Sequence, residues 1–112
     1  MYKLYAFWSA PKREDVDAFE EHYTQIHGPL AAKVPHIKTL VTTRTPDGLE
    51  GGEPAYFRVA EMIFDNKADF DASTESAQWR ALREDAGSII EEFGVQMTVA
   101  VGDEVVTPGQ PG

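Results

Sequence analysis

The chain has 112 residues, 42% of them hydrophobic and 11% aromatic, and sets ten Lys and Arg against 19 Asp and Glu for a formal net charge of -9. That length suits one compact domain with a modest core, and that charge repels nucleic-acid backbones and anionic membranes, since no basic patch interrupts it. Small molecules, or other copies of the chain, are the partners left. No apolar run approaches the roughly 18 residues of a membrane helix, and the opening MYKLYAFW lacks a signal peptide's long apolar stretch and cleavage site, so the cytoplasm is the expected location. There is no cysteine, hence no disulfide and no thiolate chemistry.

Residues 2 to 9, YKLYAFWS, carry apolar and aromatic groups on both alternating sets and predict a strand covered on both faces. APKRED then opens a helix whose acidic first turn, Glu14, Asp15 and Asp17, suits the positive end of the helix dipole. Val16, Phe19, Tyr23, Ile26 and Leu30 follow at three- and four-residue spacing, an apolar stripe predicting a helix to about His27, where Gly28 and Pro29 interrupt. HIKTLVTTR (36 to 44) reads as a second strand, TPDGLEGGEP (45 to 54) as a loop, and AYFRVAEMIF (55 to 64) as a third strand. Asn66, with Asp69 three residues on, resembles a cap opening a short helix through Asp71. After STES a second stripe, Trp79, Leu82, Ala86, Ile89, Ile90 and Phe93, is closed by Gly94. VQMTVAVG (95 to 102) is the fourth strand. Residues 1 to 104 make the expected domain, and 105 to 112, ending in TPGQPG, a flexible tail.

The order β-α-β-β-α-β predicts an α+β, ferredoxin-like fold: a four-stranded antiparallel sheet with the helices on one face. Strands apolar on both faces, with helices for only one, call for a second cover. A second copy meeting sheet to sheet supplies it, and about 800 Å² per partner is ordinary for a stable interface. The plain alternative is a moderately apolar sheet face left in solvent.

Phe19, Tyr23, His27, Pro29, Leu30, Ala31 and Pro35 stand in the pattern F-x-x-x-Y-x-x-x-H-x-P-L-A, with a proline a few residues later. The pattern resembles the EthD family of the dimeric α/β barrel superfamily, over about residues 2 to 103. His36 stands where these proteins often carry a glycine. The resemblance implies a ferredoxin-like protomer, a homodimer through the sheets, and a pocket between sheet and helices. It also implies links to catabolic and polyketide pathways, whose similar proteins include lactone isomerases, dehydratases and cofactor-independent oxygenases.

On an ideal helix His22 and His27 lie about 140° apart, which predicts that they share no partner. Tyr23 and His27 sit together at one edge of the apolar stripe. A histidine at a helix end facing a pocket is a candidate acid or base, because imidazole gains and loses a proton near neutral pH. The plain alternative is that His27 caps a terminal carbonyl. Tyr23 is either a supporting catalytic residue or core. His22 and His36 read as surface or satisfied histidines. Trp8, Phe19, Leu30, Phe57 and Trp79 are expected to wall a substrate pocket. Arg58 and Glu61 need a partner or an edge position, and Asp85 lies within reach of the pocket or on a solvated helix face.

No G-x-S-x-G, P-loop, G-x-G-x-x-G, H-E-x-x-H or C-x-x-C is present, so serine hydrolase, nucleotide, dinucleotide and classical zinc chemistry find no support. Haem chemistry has only a helix histidine to recommend it. The preferred reading is an enzyme without bound cofactor or metal, an isomerase, lyase or oxidoreductase of EthD type. It would act on an aromatic or lactone-like metabolite with His27 as acid or base. The alternative is a non-catalytic protein that binds a hydrophobic metabolite for a catabolic pathway.

Overall fold

In a computed structural model, which describes residues 1–112, four strands form one antiparallel sheet in the order β2-β3-β1-β4. They are β1 (Tyr2–Trp8), β2 (Thr39–Arg44), β3 (Arg58–Phe64) and β4 (Met97–Asp103). Side-chain alternation sorts the central strands. Tyr2, Leu4, Ala6 and Trp8 of β1, with Ala60, Met62 and Phe64 of β3, are buried on one face, whereas Tyr5, Phe7, Val59 and Ile63 on the other remain partly exposed. The register sets Ala6 opposite Ala60 at the centre of the buried face. Two packed clusters flank that point, one around Phe64 and Leu82, the other around Trp8, Phe19 and Ile89. The fold is the ferredoxin-like one expected from the order of elements.

The first helical region departs from the regular helix its stripe predicts. A 3₁₀ turn (Arg13–Asp15) leads into α1 (Val16–His22), a π-helical turn (Tyr23–His27) and α2 (Gly28–Ala32). The helix therefore does not stop at His27. In the π turn the N–H of Gly28 bonds to Tyr23 O, five residues back. Pro29 follows in α2 with no N–H to give, directly after the wider π turn of the continuous helix. The extra residue in the turn also rotates the apolar stripe. Ile26, expected in the core, is 48% exposed, and His27 occupies the buried position instead.

The second helical region follows its local signals. Asn66 caps α3 (Lys67–Ser73) by accepting the Asp69 N–H at 2.8 Å. Ser76 caps α4 (Ala77–Phe93) by accepting the Trp79 N–H at 3.1 Å. Gly94 ends α4 at φ 65, a left-handed conformation that glycine adopts without strain. Leu82, Ala86, Ile89 and Phe93 of the stripe are buried. No helix is long and apolar enough to cross a membrane.

Three of the four strands begin later than their sequence patterns do, β1 alone starting at residue 2 as expected. β2 starts at Thr39 rather than 36 because His36 takes φ 67 and turns the chain. β3 begins at Arg58 rather than 55, and β4 runs from Met97 to Asp103 rather than from 95 to 102. Left-handed backbone costs a non-glycine residue about 1–2 kcal/mol, while glycine makes the unfolded chain freer by about 0.4–1 kcal/mol. His36→Gly is therefore expected to stabilise the exposed turn by about 0.5 kcal/mol, read as a small rise in the urea midpoint. A fall in that midpoint would show that His36 makes a contact worth more than the strain it carries.

Candidate active site

The hollow comes from small side chains set where large ones would fill it. Ala6 and Ala60, paired across the central strands, face Gly28 and Ala31 of α2 and Ala86 of α4, leaving a cavity of about 60 Å³ between sheet and helices. That volume holds a few waters as it stands, or part of one flat ring. Its walls are apolar, and Tyr23, His27, Thr42 and Arg83 bring the polar groups.

Of the side chains that the sequence nominates, Trp8, Tyr23, His27 and Trp79 line this cavity. Phe19 and Phe57 lie outside it, packed edge to face on each other at 5.5 Å within the core. Leu30 packs against the neighbouring cluster and is likewise outside the lining. Arg58 finds its partner in Glu20, through a fork of two hydrogen bonds, and its guanidinium stands 4.8 Å from the centre of the Tyr23 ring. Glu61 is on the opposite sheet face, paired with Lys3 at 3.1 Å.

The chemistry converges on Asp85, half-buried on α4 four residues before Ile89. Its Oδ2 accepts from His27 Nδ1 at 2.8 Å, and its carboxylate also faces His22 Nε2 at 2.9 and 3.1 Å. The two histidines thus share one carboxylate, against the expectation from ideal helical spacing. The physical reason is the π turn: bonding over five residues brings positions 22 and 27 back towards the same side. His22 is accordingly a satisfied histidine outside the cavity lining, and its partner is the carboxylate that also holds His27.

A carboxylate accepts and does not donate, so Asp85 places the His27 proton on Nδ1 and leaves the Nε2 lone pair free. Nε2 makes no hydrogen bond within the chain. Burial of the imidazole pushes its pKa below the usual 6.5; the Asp85 hydrogen bond and charge pull it back up, and His22 lowers it. His27 is neutral at pH 7 and is held in a single tautomer. Burial also pushes the Tyr23 phenol up to about 12, outweighing the Arg58 charge and the nearby Trp8 indole, which lower it. Tyr23 therefore stays protonated and serves as a neutral wall and donor. The Trp8 side chain is fully buried, and its Nε1 is the single buried side-chain polar atom with no hydrogen-bond partner. No group of three or more His, Asp or Glu side chains is arranged to hold a metal ion.

A four-stranded antiparallel sheet with its helices on one face is the ferredoxin-like α+β architecture. The EthD domain model matches residues 12–92. This chain belongs to the EthD family. An uncharacterized 11.0 kDa protein in the thcB-thcC intergenic region of Rhodococcus erythropolis is 32% identical over 69 residues, covering 62% of this chain and 64% of that protein, slightly less than two thirds of its length. The crystal structure of an EthD family protein from Bacillus halodurans superimposes with a TM-score of 0.81 at 28% identity, over 94% of this chain and 99% of that one. A candidate antibiotic biosynthesis monooxygenase from Nitrosomonas europaea shares the fold alone, with a TM-score of 0.60 at 14% identity over 95% of this chain and 100% of the other.

Proposed function

We propose that this EthD chain is a small enzyme that moves a proton with His27, without a bound cofactor, on a flat aromatic or lactone-like metabolite held in the alanine-lined hollow. The observation that carries the reading is the His27–Asp85 pair, whose unbonded Nε2 belongs to a buried residue lining a largely apolar cavity. A neutral imidazole with its second nitrogen anchored is equipped as a general base, and Asp85 stabilises the imidazolium once the substrate proton has arrived. In the reverse half-step the same cation returns the proton, the logic of an isomerase or a lyase. Tyr23, Trp8 and Trp79 confine the ring. The size of the cavity favours a single ring over a polycycle.

The active unit we infer is a homodimer. Tyr5, Phe7, Val59 and Ile63 leave apolar surface around the Lys3–Glu61 pair on the sheet face that no helix covers, with Phe7 and Tyr56 in ring contact at 4.9 Å. A second copy of the same face is its natural cover. The competing reading is a binding protein that uses the same hollow with no proton transfer. A screen of lactones, hydroxylated aromatics and quinols separates the two. Turnover by the wild-type chain supports the enzyme. Ligands that perturb the His27 resonances and are never converted support the binding protein.

The pH dependence follows from the direction of the His27 shift. Its folded pKa lies below the unfolded value, so the rate is full above 6.5 and falls as pH drops through the folded pKa. The matching stability is present above 6.5 and is lost over the same descent. Asp85 raises the His27 pKa, so Asp85→Asn is expected to move the acid limb of kcat/KM to lower pH while lowering the plateau. An acid limb that stays in place would remove Asp85 from the role of positioning residue.

A further inference from the structure

Arg83 occupies a place on α4 that patterning alone would give to an apolar residue. It follows Trp79 by four residues, precedes Ala86 by three, and sits seven before Ile90, so it flanks the buried stripe. It lines the same cavity as His27 and is its one permanently charged lining residue. In a chain with 19 acidic residues against ten basic, its guanidinium makes neither an ion pair nor a hydrogen bond. The neighbouring carboxylate does not neutralise it. Asp85 projects about 160° away around the helix axis, on the other flank of Leu82 and Ala86, and is committed to the two histidines.

We propose that Arg83 binds the carboxylate of the substrate, and that the substrate class of this site is a small, flat, apolar carboxylic acid. This rests on the reading of the hollow as a ligand site served by His27. Three observations converge on it. A guanidinium fork matches a carboxylate through two parallel hydrogen bonds. The net charge of -9 opposes the approach of an anion, and Arg83, free of any acidic partner, is the cation of the lining that offsets it locally. The remaining lining offers apolar wall for a ring. The geometry separates the roles: Arg83 holds the charge, the apolar walls hold the ring, and His27 meets the acidic proton.

Benzoate and benzamide test this, because they share ring and shape and differ in charge. Both are titrated into the full wild-type chain and into Arg83→Gln, which alters an exposed side chain outside the catalytic pair. Heat and the His27 imidazole resonances are followed together. Benzoate is expected to bind wild type about ten-fold more tightly than benzamide, the value of one charge-assisted contact, with the advantage shrinking as salt is added. In Arg83→Gln the two affinities should converge, with benzamide unchanged. Equal binding of both ligands to wild type, or an acid preference that survives in Arg83→Gln, overturns the inference and leaves the cavity and its base standing. If neither ligand moves the imidazole resonances, the inference falls together with the ligand-site reading on which it rests.

Discussion

Replacing His27 with Gln is expected to lower the turnover of any substrate found in the screen by about 10²–10⁴-fold, the usual contribution of a positioned acid or base. Glutamine keeps an N–H for Asp85 and much of the imidazole volume, so the fold and the cavity should persist. It has no group that takes a proton near neutral pH. Ligand affinity is therefore expected to change little while kcat collapses, the signature of an interaction made in the transition state. A variant that turns over at the wild-type rate would show that His27 only fills space beside Trp8 and Tyr23, whose rings lie 5.5 and 5.3 Å from its own. The binding-protein reading predicts a third pattern, unchanged affinity with no turnover in either chain.

The second large effect concerns the uncovered sheet face. Light scattering is expected to give about twice the 12.4 kDa chain mass for the wild type, and the single-chain mass for Val59→Asp. Val59 lies outward on β3, a central strand, within the apolar field of Phe7, Tyr5 and Ile63. A two-fold axis would set two aspartates into one dry interface, each costing several kcal/mol to desolvate without a partner. The dissociation constant should rise by about a thousand-fold or more, equivalent to roughly 4 kcal/mol. The monomer should tolerate the change, because position 59 is already half-open to solvent in the isolated chain. A wild-type chain that remains at 12.4 kDa across a wide concentration range would end the dimer proposal.

The two halves of the site were not equally legible. Tyr23 and His27 announce themselves by spacing, and the family pattern around them is dense. Asp85 was left between the pocket and a solvated face, and Arg83 was not singled out at all, since charged residues on a helix are usually solvated. The signal lay in their offsets from the stripe: Asp85 is four residues before Ile89, and Arg83 is seven before Ile90. The carboxylate shared by His22 and His27 was missed because ideal helical geometry was applied across a π turn, whose presence no residue type in that segment announces. Phe19 and Phe57 are aromatic for the sake of packing, and a sequence does not distinguish an aromatic wall from an aromatic core.

Local physics determined much of this protein on its own. Alternation in β1 and β3, the caps at Asn66 and Gly94 and the stripe from Trp79 to Phe93 each depend on a few neighbouring residues, so the elements and their order could be read directly. The tertiary structure alone decided the rest: that two alanines fifty-four positions apart meet across the sheet and leave a hollow, that a widened turn swings two histidines onto one carboxylate, and that a guanidinium is left without a partner at the rim. Those outcomes depend on which distant segments come together and how one turn of helix is wound, and the residues concerned are too far apart along the chain for any local pattern to record them.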